Sequence, residues 1–95
     1  FFCKINPSIE SRKLSLENYK KLIYYSKYIL RLAIKKGGST IKNFINTDGK
    51  FGSFQKNFNV YQRENLKCLM KNCSGIIKKK IISNRSTFYC NICQK

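Results

Sequence analysis

The chain has 95 residues, a formal net charge of +16 and no histidine. That length allows one small domain, or a helical layer plus a ribbon, but not a large core. The charge, with a pI near 10.0, favours a polyanionic partner, either nucleic acid or an anionic membrane surface. No apolar run approaches the ~18 residues of a membrane span, and Phe1–Ile5 lacks the apolar core of a secretory signal. Both point to a cytoplasmic chain in a reducing compartment with no membrane partner, where clustered cysteines suit a metal better than disulfides. The one methionine is Met70, and the start reads as the middle of something apolar, so the expectation is a portion of a longer protein.

Residues 1–14 read as the end of one helix, a turn at Asn6-Pro7, and a short helical turn over about 8–13. Ser15 is a suitable N-cap for a longer helix. Tyr19, Leu22, Ile23, Ile29, Leu30 and Ala33 recur at helical spacing, with Lys20, Lys27, Arg31 and Lys35 largely elsewhere. Gly37-Gly38 stops that helix in the manner of a C′ glycine. Its apolar face suits core packing. A basic amphipathic membrane helix is the sharper reading, but tyrosine on the face and the lack of tryptophan speak against it.

Residues 39–57 are dense in Gly, Ser, Thr, Asn and Asp, with strong turn chemistry at Asp48-Gly49-Lys50-Phe51-Gly52. A loop of this length in a small domain is usually functional or disordered. Phe58-Asn59-Val60-Tyr61 alternates like a short strand. Beyond it, Ile76-Ile77 and Ile81-Ile82, then Arg85 to Tyr89, read as a β-hairpin with Ser83-Asn84 near its tip.

The hairpin lies between two cysteine pairs, Cys68-x4-Cys73 and Cys90-x2-Cys93. Two close pairs separated by a hairpin bring four sulfurs to one tetrahedron, which suits a single structural Zn²⁺. A closed four-cysteine site keeps no open position for catalysis. The other readings are two disulfides, free buried thiols, or a rubredoxin-like iron site; the basic ribbon favours zinc. A ribbon of some 30 residues cannot bury enough apolar surface alone, so metal binding becomes folding free energy. Cys3, far off in sequence, reads as a small buried hydrophobe. Lys78, Lys79, Lys80 and Arg85 lie on the hairpin. Arg85 is the strongest candidate, because an arginine at a rigid tip can fork two bonds to a phosphate.

Taken in order, several strings carry a resemblance: Gly37-Gly38-Ser39-Thr40-Ile41-Lys42-Asn43-Phe44; Asp48-Gly49-Lys50-x-Gly52-x-Phe54-Gln55; Val60-Tyr61-x-Arg63; and the ribbon closing on Arg85-Ser86-Thr87-Phe88-Tyr89-Cys90-x2-Cys93-Gln94-Lys95. The chain resembles the C-terminal half of formamidopyrimidine-DNA glycosylases over essentially its whole length. The resemblance implies an α+β chain. Residues 1–57 would be the mainly helical end of a helix–two-turns–helix domain, with a lesion-capping loop at about 37–57. Residues 58–95 would be a four-cysteine zinc ribbon with metal ligands Cys68, Cys73, Cys90 and Cys93.

It further implies a monomer acting on damaged double-stranded DNA, in which the full enzyme flips an oxidised purine out of the helix. The arginine matching Arg85 contacts phosphate beside the flipped nucleotide, and the tyrosine matching Tyr61 lies against the backbone, with Lys78 and Lys79 as further DNA contacts. The loop matching Ser39, Thr40, Ile41, Lys42, Asn43 and Phe44 folds over the extruded base. The family's nucleophile is an N-terminal proline amine in a separate catalytic domain, so no residue here is assigned to catalysis; Lys42 or Lys50 as a substitute amine is the remote alternative.

Some positions depart from the family pattern. Four residues rather than two separate the first cysteines, with Met70 where a closer ligand would stand. Gln62 replaces a glycine, and Phe51 and Ser53 replace a proline and an aromatic residue. The other readings are the sister endonuclease VIII branch, which prefers oxidised pyrimidines, and a free-standing zinc-ribbon nucleic-acid binder.

Overall fold

The computed structural model describes residues 1–39 and 52–95. Helix α1 spans Leu16–Lys35, and strands β1 (Ile77–Ile82) and β2 (Arg85–Cys90) form a two-stranded antiparallel sheet. Single 3₁₀ turns cover Ser11–Lys13 and Phe54–Asn57. The architecture is the expected α+β. Contacts divide the chain into two compact units: Phe1–Lys21 with Asn59–Lys95, and Leu22–Phe58. Residues 1–21 thus group with the ribbon.

In the first unit, Phe1 to Lys4 make one turn, closed by the Lys4 amide on the Phe1 carbonyl at 2.9 Å. A second turn closes from the Ile9 amide to the Asn6 carbonyl at 3.1 Å, while Asn6 Oδ1 accepts the Ser8 amide at 2.8 Å. The expected helical turn over 8–13 contracts to Ser11–Lys13, because Pro7 and the side chain of Asn6 take up the preceding residues in a turn of their own.

Helix α1 begins as its sequence dictates. Ser15 Oγ accepts the Asn18 amide at 3.1 Å, the N3 bond of an N-cap. Glu17 sits in the first turn, where the helix dipole favours an anion. The Tyr19 hydroxyl donates to the Ser11 carbonyl, tying the helix start to the preceding turn. At the other end, Gly38 donates to Ala33 at 2.8 Å and Gly37 to Ile34 at 3.0 Å. Those are the two bonds of a Schellman motif, and both glycines have positive φ, 74° and 80°.

No residue of α1 is fully buried. Leu22, Tyr25, Ile29, Leu32 and Ala33 are half-buried on one stripe, whereas Ile23 and Leu30 are exposed. The apolar set expected to pack as one face is therefore split: the covered stripe runs through Leu22 and Ile29. Leu16, Tyr19, Ile23, Leu30 and Ile34 form a second, uncovered apolar stripe.

Beyond the glycines, Gly52 returns against the helix end. The Ser53 amide donates to the Lys36 carbonyl at 2.9 Å and the Phe54 amide to Gly38 at 3.0 Å. A Cβ on Gly52 would lie 2.1 Å from the Gly38 carbonyl oxygen, so only glycine allows this approach. The segment expected to cap a lesion is thereby closed at its base, with Gly38 and Gly52 in contact. Thr40, Ile41, Lys42, Asn43 and Phe44 lie outside the described residues, as do Asp48 to Phe51; Ser39 is at the edge.

The strand expected at Phe58–Tyr61 does not form. Phe58 caps the 3₁₀ turn, and the following residues turn repeatedly, with Gln62 and Asn65 at positive φ. Arg63 explains the difference. Its guanidinium donates to the Asn59 carbonyl at 2.9 Å and the Lys67 carbonyl at 3.2 Å, gathering the backbone around one side chain. Alternation over four residues signals half-burial and cannot by itself supply a strand partner.

The hairpin forms where expected. Ser83 and Asn84 have φ of 49° and 63°, the paired positive values that a two-residue type I′ turn requires. Ile82 faces Arg85 and Ile77 faces Cys90. The core of this unit is small: Cys68, Ile77 and Cys90 are buried, with Val60, Met70, Cys73, Phe88 and Cys93 packed against them.

Candidate metal centre and nucleic-acid face

Three segments bring the four cysteines together. Cys68 follows the Arg63-centred turns, and its amide donates to the Gly75 carbonyl at 2.9 Å. Cys73 follows Asn72, whose φ of 61° bends the chain back. Cys90 ends β2, and Cys93 closes a turn whose Gln94 amide bonds the Cys90 carbonyl at 3.2 Å. The Sγ atoms of Cys68 and Cys93 are 3.5 Å apart, those of Cys73 and Cys93 3.6 Å, and those of Cys73 and Cys90 3.7 Å. All four lie within 4.8 Å of one another, close enough to bind one metal ion. Cys3 is half-buried and stands outside this group.

Backbone amides are aimed at the sulfurs. Met70 donates to Cys68, Gly75 to Cys73 and Ile92 to Cys90, at 3.4, 3.4 and 3.5 Å. Such bonds favour the thiolate that a metal needs. Burial pushes the Cys90 thiol up, but the Cys93 and Ile92 amides and the neighbouring cysteines outweigh it and bring its pKa down to about 7. Burial, then sharing of protons with Cys90, Cys68 and Cys73, holds the Cys93 thiol far above its ordinary range. Burial also raises Cys68. Four thiols this close cannot all ionise without a cation among them.

Two supports were not singled out in the sequence. Gly75 carries a geometric demand: a Cβ there would lie 2.4 Å from Cys90 Sγ. Gln94 is buried; its Oε1 accepts the Cys90 amide at 2.9 Å and its Nε2 donates to the Ile5 carbonyl at 2.9 Å. A glycine two residues past a ligand cysteine is a usable signal for the first. The second lies in the closing string that carries the resemblance, but its role in joining Cys90 to Ile5, 89 residues away, is not visible there.

The candidate DNA-contacting residues fall on both faces of the hairpin. Directly paired residues share a face, and faces alternate along a strand. Lys79 pairs with Phe88, on the same face as Ile77 and Cys90. Tyr61 packs edge-on against Phe88, with centroids 5.3 Å apart. Lys79 lies 6.0 Å over the Phe88 ring and 3.8 Å from the Glu64 carboxylate. Lys78, Lys80 and Arg85 share the opposite face with Tyr89 and Thr87. Arg85 and Lys78 are exposed and carry no ion pair among the described residues. Lys80, which donates to Ser8 Oγ at 2.8 Å, stands with them. The geometry thus places Arg85 and Lys78 on one face, at opposite ends of the hairpin with Lys80 between them, and gathers Tyr61 and Lys79 around Phe88 on the other.

A four-cysteine centre at the base of a basic hairpin, preceded in sequence by a capped helix, defines a metal-ribbon protein. No protein-family model matches the chain. Formamidopyrimidine-DNA glycosylase of Hydrogenovibrio crunogenus is 39% identical over all 95 residues, and that of Bdellovibrio bacteriovorus 41% identical over the same span. Among solved structures, the Lactococcus lactis Fpg in complex with DNA containing an abasic site superimposes with a TM-score of 0.87 at 32% identity, covering 98% of this chain. The chain belongs to the formamidopyrimidine-DNA glycosylase family and corresponds to its C-terminal portion. It spans about a third of the length of these relatives: 33% and 34% of the two sequences and 33% of the Lactococcus chain. Among the described residues, no helix is long and apolar enough to cross a membrane.

Proposed function

We propose that this chain is the DNA-gripping portion of a base-excision-repair glycosylase and AP lyase that removes oxidised purines from duplex DNA. The observation that carries this reading is the match, over 98% of the chain, to an Fpg bound to abasic-site DNA. The division of labour would follow the resemblance. Residues 1–57 end a helix–two-turns–helix domain, residues 58–95 form the ribbon, and the proline nucleophile belongs to the catalytic domain that the longer relatives carry. A cytoplasmic location belongs to the same proposal, because a DNA partner and cysteines free of disulfides both suit a reducing compartment.

The metal in this reading is one structural Zn²⁺. A tetrahedron with Zn–S bonds of ~2.3 Å has S–S edges of about 3.8 Å, near the 3.5 to 3.7 Å of three sulfur pairs and within reach of the 4.8 Å that spans all four. An all-sulfur set suits zinc, and the four residues between Cys68 and Cys73 leave it intact, because Met70 donates its amide to Cys68 and packs at the core edge instead of displacing a ligand. Bound there, zinc supplies a cross-link between three chain segments. The residues around it would hold the hairpin so that Arg85, with Lys80 beside it and Lys78 further along the same face, faces a phosphate backbone. Tyr61 is proposed to meet the backbone from the Phe88 side, with Lys79. Ser39 to Phe44 are proposed to fold over the extruded base, on the base closed by Gly38 and Gly52.

Arg85 is the sharpest test. A charge-assisted contact to phosphate is worth roughly 1.5–3 kcal/mol, so Arg85→Ala should weaken binding to a duplex carrying an abasic-site analogue by about tenfold or more, with metal content unchanged. Fluorescence anisotropy at fixed salt reads this; equal affinity would remove Arg85 from the interface.

A further inference from the structure

Helix α1 has three distinct faces. One is the half-buried stripe of Leu22, Tyr25, Ile29, Leu32 and Ala33. A second is the exposed apolar stripe from Leu16 to Ile34. The third carries Tyr24, Lys27, Tyr28, Arg31 and Lys35, spaced three and four residues apart on adjacent turns. These side chains, with Leu32, line a concavity of about 270 Å³.

This third face is uniform in sign. From Asn18 to Lys36 the sequence holds six cations and no acid. The one acid of α1, Glu17, is 3.4 Å from Lys21 and neutralises that lysine instead. Lys27, Arg31 and Lys35 carry no ion pair among the described residues. Cations stacked along one helix face repel one another, so the row lowers helix stability unless an anion answers it. The rings are also propped. Half-buried Tyr25 packs edge-on against Tyr24 at 5.1 Å and against Tyr28 at 6.4 Å. Tyr24 and Tyr28 nevertheless remain 65% and 48% exposed.

We propose that this tyrosine-and-cation face of α1 is a second nucleic-acid contact, separate from the ribbon, that takes the phosphodiester backbone of a strand. Lys27, Arg31 and Lys35 neutralise phosphates, and the hydroxyls of Tyr24 and Tyr28 donate to phosphate oxygens. Charge complementarity selects the partner. Lys27 borders the exposed apolar stripe beside Ile23 and Leu30, as it would on a lipid-binding helix, but the tyrosines standing among the cations and the likeness to a DNA-bound relative favour the phosphodiester backbone. The inference rests on the DNA-binding reading above but uses none of its residues.

The test is anisotropy of the zinc-loaded chain with an undamaged duplex over a salt series, comparing wild type, K27Q/R31Q/K35Q, Y24F/Y28F and R85A. Removing about three phosphate contacts should make the log–log salt slope less negative by roughly 2 to 3. The tyrosine pair should weaken binding severalfold, about the worth of two neutral hydrogen bonds. Circular dichroism should show the helix retained in both. A triple variant with the wild-type slope overturns the inference; if R85A is still impaired, the ribbon reading survives it. No salt-dependent binding by wild type overturns both. Vesicles containing anionic phospholipid form the last arm: loss of vesicle binding by the triple variant, with its DNA slope intact, assigns the face to lipid and contradicts the proposal.

Discussion

The ribbon and helix α1 show two ways in which a short basic chain is held in shape. The ribbon buries five residues, Cys68, Gly75, Ile77, Cys90 and Gln94, and two of them are cysteines of the metal centre. The helix, at 20 residues, buries none. Its local signals are nonetheless complete: a serine cap, an acid in the first turn and a two-glycine stop. The ribbon has a local signal at its Ser83-Asn84 turn but depends on long-range closure, from Cys68 to Cys93 and from Gln94 back to Ile5. A region defined by local chemistry tolerates single changes. A region defined by one cross-link does not.

Metal removal should separate the two regions most sharply. Structural zinc in small cysteine sites contributes on the order of 10 kcal/mol or more, far beyond what Ile77 and its neighbours supply by burial. Cys90→Ser should therefore abolish stoichiometric metal and the β1–β2 pairing while α1 stays helical, as judged by metal analysis and amide exchange. Retained one-to-one metal would contradict the four-cysteine assignment.

Acidity should act on the ribbon next. Cys68 and Cys93 have raised pKa values, so both hold protons at neutral pH in the metal-free chain. In that state their contribution to stability is present below the ordinary thiol range and is lost as pH climbs through the raised values. Metal loading has the opposite sign, because it must expel those protons. Each displaced proton is worth tenfold per pH unit, so zinc affinity should fall about a hundredfold or more per unit of acidification below pH 7. A competition titration with a chromophoric chelator measures this, and a pH-independent affinity would remove the thiolates as ligands.

Gly75→Ala is a subtler break. The added methyl carbon, 2.4 Å from Cys90 Sγ, must displace a ligand or the β1 approach. Disturbing the support of a metal site costs about 10- to 100-fold in affinity, and the same titration reads it. The smallest effect belongs to the helix: Ser15→Ala should cost about 1 kcal/mol through the lost cap, visible as a lower Tm of α1 with zinc affinity unchanged.

The sequence was most legible where chemistry is local. Ser15, Gly37-Gly38 and Ser83-Asn84 each act through their own backbone, and each lies where its residue type demanded. The four cysteines were legible because two short spacings around a hairpin leave little other use for them. Phe58–Tyr61 misled because alternation cannot show that Arg63 will gather the adjoining carbonyls. The split of α1's apolar residues into a covered and an uncovered stripe was hidden for a related reason. A 3.6-residue period tells that residues share a side of a helix, not how wide a stripe is covered. Lys78, Lys79 and Lys80 are consecutive in sequence, and only strand pleating separates them, Lys79 to the Phe88 face and the other two to the face that carries Arg85.

The central claim is that the metal builds the surface that grips DNA. Anisotropy of this chain with an abasic-site duplex and with an intact duplex, before and after zinc chelation, tests it directly. The account predicts tighter binding to the damaged duplex that falls when zinc is removed and returns on its restoration. Equal binding to both duplexes, unchanged by chelation, would contradict it and reduce the interaction to the charge of the chain.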